Sequence, residues 1–170
     1  ESQYGMVNPC LPPADYKLVQ HLENETVYTF CMCPGGSVVA AASEENTVVV
    51  NGMSRHARDG KNANSALVVS VSPEQFGSGI LDGMAFQRKL ESAAFAMGGR
   101  SGKAPAQDTA TFLAGKKGFG DSAVAPSYAL GVAPGDFDKL FDERISGLLR
   151  YGLQKFERQL PGFTGGNGAP

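Results

Sequence analysis

Two thiols one residue apart, Cys31 and Cys33, run directly into Pro34-Gly35-Gly36. Thiols in this pattern can ligate a metal, form a redox pair or line a pocket. Gly35 and Gly36 add backbone that can approach a ligand without a side chain in the way. Structural zinc takes four ligands, usually from two such pairs. The other candidates, Cys10, His21 and His56, supply no second pair, so no metal is expected. The plainer reading makes both sulfurs small core hydrophobes. Three cysteines, an odd number, do not make a closed disulfide framework. Reduced thiols in the cytoplasm are the expectation.

The second polar concentration runs from Asn51 to Ser65 and includes Met53, Arg58, Asn62 and Asn64. Asparagine amides both donate and accept, and an arginine fork can hold a carboxylate or phosphate through two bonds. The alternative is a solvated loop whose Asn and Gly residues serve turn geometry. His21 and His56 have no orienting partner nearby in sequence, and no Gly-X-Ser-X-Gly elbow is present. Gly98-Gly99-Arg100-Ser101-Gly102-Lys103-Ala104 only faintly resembles a phosphate-binding loop. It lacks the first glycine, and Ala104 replaces the magnesium-binding hydroxyl. With no dinucleotide fingerprint either, the chain does not read as a complete enzyme.

These residues need a scaffold, and the first half of the chain reads as strands. Thr26–Cys33, Ser37–Ala42 and Thr47–Gly52 suggest an antiparallel meander that turns at the Cys-Pro-Gly-Gly corner. A loop over 53–64 then leads to a strand over Ala66–Ser72, stopped by Pro73. Helices dominate the second half. Asp82 is the expected cap of one that Gly98-Gly99 ends, and a shorter one is predicted over 106–114. The apolar stripe from Phe137 to Leu160 predicts a helix over 136–160, capped by Asp136 and stopped by Pro161. Gly147 and Gly152 inside it cost about 1 kcal/mol each relative to alanine, so a bend or split is expected there.

Strands first and helices afterwards make an α+β fold, with a sheet from the first half packed against helices from the second. At 170 residues the chain is expected to form a single domain with one core. Both ends, 1–15 and 161–170, read as irregular and as cut from something larger. The net charge of −2, without a Lys/Arg block, excludes a nucleic-acid footprint. No apolar run is long enough to cross a bilayer as a helix.

Tyr28–Gly36, Asn51–Ser54, Arg58-Asp59-Gly60, Asn62–Val69 and Phe86–Glu91 together resemble a family of uncharacterised bacterial FAD-dependent (NAD-utilising) dehydrogenases. Pro126-Ser127-Tyr128, Leu149-Arg150 and Pro161-Gly162-Phe163 also fit, so the resemblance covers about 26–163. It implies a middle, inserted domain, preceded by a Rossmann-like FAD domain and followed by a further flavin-contacting segment. The implied role is substrate binding or capping in an oxidoreductase. FAD would sit in the parent protein with NAD(P) as a candidate co-substrate, and none is expected bound to this chain alone. The implied partners are the FAD-binding domain of the same parent chain and a small-molecule substrate. Cys31, Cys33, Gly35, Gly36, Asn51, Met53, Arg58, Asn62, Asn64 and Ser65 become the cofactor- or substrate-facing candidates. Arg58 is the expected anchor for an anionic group. The alternative is a non-catalytic binding or scaffold module with structural cysteines.

Overall fold

The computed structural model describes residues 16–120 and 124–165. Cys10, the start over 1–15 that the sequence reads as irregular, and the last five residues lie outside that range. The architecture is α+β: an antiparallel sheet from the first half and helices from the second. The sheet contains β1 (Val19–Leu22), β2 (Glu25–Ala40), β3 (Val50–Ser54) and β4 (Asn62–Val69). Strand β2 is its spine. Gly36 pairs with both Ser54 and Asn62, which places β3 and β4 on opposite edges of β2.

The expected corner at Cys-Pro-Gly-Gly is absent. β2 runs through it as one 16-residue strand, and the register against β4 shifts twice, between Phe30 and Cys33 and between Cys33 and Gly36. Each shift sets three steps of β2 against two of β4, one extra residue per bulge. A bulge tolerates the missing N–H of Pro34, which a regular ladder does not. The predicted loop over 53–64 is correspondingly shorter, because β3 reaches Ser54 and β4 begins at Asn62. The four-residue β1 is too short to have announced itself.

Next come α1 (Pro73–Phe76), α2 (Asp82–Met97), β5 (Ala104–Ala106), α3 (Thr109–Leu113), β6 (Val132–Pro134), α4 (Phe137–Leu140) and α5 (Glu143–Gln159). Strands β5 and β6 form a separate parallel pair. Leu81, not Asp82, caps α2, and the Asp82 carboxylate instead accepts the Gly79 N–H at 2.8 Å. The long helix predicted over 136–160 splits at Phe141–Asp142, not at its glycines. Asp142 extends its backbone and accepts the Ile145 N–H at 2.7 Å, which starts α5 afresh. Gly147 and Gly152 both lie within α5.

Helix α5 covers one face of the sheet. Val27, Leu148 and Phe156 form a buried cluster with Leu67 and Val69 packed against it. Phe112, Ile145 and Leu149 form a second cluster that Leu67 and Val69 also touch. Gly152 explains the close approach: a Cβ there would lie 2.5 Å from Val27 Cγ1. Arg150 ties three helices together, stacking 4.4 Å from the Phe112 ring centroid, donating to the Phe112 carbonyl and pairing with Asp138 at 2.5 Å. Val48, Ala104 and Tyr128 form a third cluster, joined by Val38 from the far end of β2. One strand therefore threads two separate packing centres, with the bulges between them.

Candidate functional site

The bulged stretch owes its geometry to a left-handed residue at each end. Cys31 has φ 50° and Gly35 has φ 53°. Glycine adopts this conformation freely, whereas cysteine there is strained by about 1 kcal/mol or more. Cys31 is exposed and Cys33 half-buried, both as free thiols, and the Cys33 thiol donates to the Cys31 carbonyl at 3.3 Å. Pro34, Gly35 and Gly36 are buried beneath them.

The loop joining β3 to β4 folds back onto this floor. The Gly60 N–H donates to the Gly35 carbonyl at 3.0 Å, and the Ser54 hydroxyl donates to the Pro34 carbonyl at 3.0 Å. A Cβ on Gly35 would overlap the Arg58 carbonyl oxygen, so the loop backbone sits directly on the bulge. An Arg58 N–H to Arg55 carbonyl bond of 3.0 Å closes the loop tip, and Arg58 itself is left-handed at φ 51°. Ser54, Arg55, His56, Ala57 and Arg58 line a shallow open depression at that tip. Neither guanidinium forms an ion pair with another described residue.

Asn64 lies directly across from Cys33 in the β2–β4 ladder, and Asn62 across from Gly36. Paired residues share a face, so Cys33, Asn62 and Asn64 project to one side of the sheet. The Asn64 amide reaches over β2 toward β3. A Cβ on Gly52 would overlap its Oδ1, and a Cβ on Gly36 would lie 2.8 Å from its Nδ2. Both polar atoms of that amide are withdrawn from solvent, with no hydrogen-bond partner among the described residues. A buried amide so placed carries a penalty of about 1–3 kcal/mol until something satisfies it. Asn62 is differently employed: its Nδ2 donates to the Ala125 carbonyl at 3.1 Å, and Ser127 Oγ nearby accepts the Val38 N–H.

The structure therefore gathers Cys33, Gly35, Gly36, Asn62 and Asn64 at the bulge, with the Arg58 backbone against it and Cys31 at its rim. It does not bring in the remaining candidates. Asn51 and Met53 alternate with Gly52 and project to the opposite side, as does Ser65, whose hydroxyl meets Tyr16 at 3.0 Å. Gly52 and Gly60 contribute to the site although the sequence did not name them among the facing candidates. Their signal in the sequence, glycine within a strand and at a loop exit, becomes informative only with the neighbours known. Among the described residues no three of His, Cys, Asp and Glu gather as a metal-binding group, and no helix is long and apolar enough to cross a membrane.

A family model described as FAD-dependent protein, C-terminal domain-like matches residues 1–169. A protein of Clostridium beijerinckii, described as uncharacterized, is 46% identical over 168 residues, covering 96% of this chain. The chain spans 32% of that relative's length. The family description specifies a C-terminal domain, where the sequence resemblance implies a middle, inserted one, and it contains no reference to NAD. With nearly its full length matched, the chain belongs to the family of FAD-dependent protein C-terminal domains.

Proposed function

We propose that this domain is the substrate-binding or cap part of a FAD-dependent oxidoreductase, incomplete as a catalyst by itself. FAD belongs to the parent protein, where it supplies hydride acceptance, and NAD(P) is a candidate second substrate. The residues here fit the polar edge of such a ring system but not its pyrophosphate. Asn62 and Asn64 offer amide donors and acceptors, and the glycine backbone allows close approach. Among the described residues, the long helix that follows a glycine-rich turn, α2, carries the Asp82 carboxylate in its first turn, and that charge repels a phosphate.

The observation that supports this reading is the cross-strand pair of Cys33 and the unsatisfied Asn64 amide on a glycine-floored bulge. Strain and unspent hydrogen-bonding capacity concentrate where a ligand can repay them. In the assembled protein, rotation of the Asn64 side chain off its glycine bed lets the amide meet a ring carbonyl or N–H. Cys33 borders the same spot, and Arg58 offers its guanidinium to an anionic group of the substrate. Exposure of Cys31 favours this reading over a scaffold with buried structural thiols.

Asn64→Ala and Cys33→Ser in the full-length parent, reconstituted with FAD, test the proposal. Asn64→Ala is expected to shift the bound flavin's absorption bands and slow its reduction at least about tenfold. Flavin spectra and reduction rates unchanged in both variants would sink the reading.

A further inference from the structure

The sheet carries unlike cover on its two faces. Val27, Thr29, Leu67 and Val69 alternate onto the face that α5 packs. The residues between them, Tyr28, Phe30, Ala66 and Val68, lie on the other face, with Val19 opposite Tyr28. None of these five joins any of the three packing clusters. Phe30 is 57% exposed and Val19 37% exposed, Ala66 is exposed, and Tyr28 and Val68 are half-buried. An antiparallel sheet that turns one face to water ordinarily places polar residues there. This one places an aromatic pair and three aliphatic side chains.

The bare face is continuous with the candidate site. Along β4 the same alternation leads from Val68 and Ala66 to Asn64 and Asn62, and along β2 from Phe30 across the first bulge to Cys33. Residues 125–127 border its far end through the Asn62 and Val38 bonds. About two thirds of the relative's length lies outside the matched region. The five side chains present on the order of a few hundred Å², short of the roughly 800 Å² per partner typical of stable free complexes. A covalently linked partner needs less, because its effective concentration reaches about the millimolar range.

We infer that this face is the docking surface for the remainder of the parent polypeptide, with Phe30 as its central anchor. The inference rests on the cap-domain reading for what that remainder carries, namely FAD. Docking there places Cys33 and Asn64 at the seam between the two parts and shields it from water.

Hydroxyl-radical footprinting of the full-length parent, read residue by residue by mass spectrometry, tests the surface. Phe30 is expected to be as protected as Phe156, the fully buried phenylalanine of the α5 cluster. Labelling of Phe30 at least about fivefold above Phe156 overturns the inference. So does protection that disappears on tenfold dilution, which assigns the cover to a second copy. Exposure of Phe30 on deleting residues 1–15 assigns it to this chain's own start and likewise overturns it. Footprinting reads docking alone, whereas the Asn64 and Cys33 flavin spectra read the site, so either can fail while the other stands.

Discussion

The two halves of β2 solve the same problem in opposite ways. From Glu25 to Phe30 the strand keeps regular register with β4 and buries Val27 and Thr29 under α5. Its one buried hydroxyl is employed, since Thr29 Oγ1 accepts the Leu18 N–H at 2.9 Å. From Cys31 to Gly36 the register shifts twice, two residues turn left-handed and the facing Asn64 amide has no partner among the described residues. The regular half is what a sequence optimised for stability produces. The irregular half retains strain of about 1–3 kcal/mol at Cys31, and the adjoining structure holds it in place. Such departures from local rules gather at functional sites, which gives the contrast its value as a guide to where chemistry happens.

The contrast can be broken first on its stable side. Phe156→Ala empties the centre of the α5 cluster and is expected to cost about 3–5 kcal/mol, measured by urea denaturation. A loss under 1 kcal/mol would mean that α5 is not what holds the regular half. Gly35→Ala comes next: it forces a side chain into a left-handed position and against the Arg58 carbonyl. A loss of about 2 kcal/mol is expected, with accelerated amide exchange confined to the bulge and residues 55–61. Unfolding of the whole sheet instead would erase the distinction between the halves.

The smallest effect is a pH dependence at the end of α5. Burial pushes the Glu157 carboxyl up, but bonds from the Gly162 N–H and from the Thr164 N–H and hydroxyl outweigh it, and the net shift is downward. A carboxylate depressed in the folded state stabilises it above the ordinary glutamate range, and that contribution fades as pH falls through the lowered value. The protection factors of Gly162 and Thr164, taken against the intrinsic exchange rate at each pH, are therefore expected to fall below the ordinary range, and Glu157→Gln to abolish that step. A step that persists in Glu157→Gln would place the titration elsewhere.

Much of the fold was legible in the sequence, and the losses have physical causes. The stripe from Phe137 to Leu160 marked the packing face of α5, and Gly98-Gly99 marked the end of α2. Pro34-Gly35-Gly36 misled because a turn and a bulge require the same permissive residues. The choice between them is made by β4, about thirty residues away. Gly152 read as a helix weakness because Val27, the side chain it admits, is more than a hundred residues distant. The asparagines of the 51–65 stretch were visible as composition, but alternation along β3 and β4 separated Asn51 from Asn62 and Asn64. Register, a pairwise property, decides which polar residues share a face.

Gly152 has one more effect, on the far side of the sheet. Because α5 meets β2 there with only a hydrogen between backbone and valine methyls, the crossing is close-packed. The surface bearing Phe30, one strand's thickness away, is thereby backed by a close-packed layer. Packed interiors yield little, so a partner docked there as proposed meets a surface already shaped by the layer behind it.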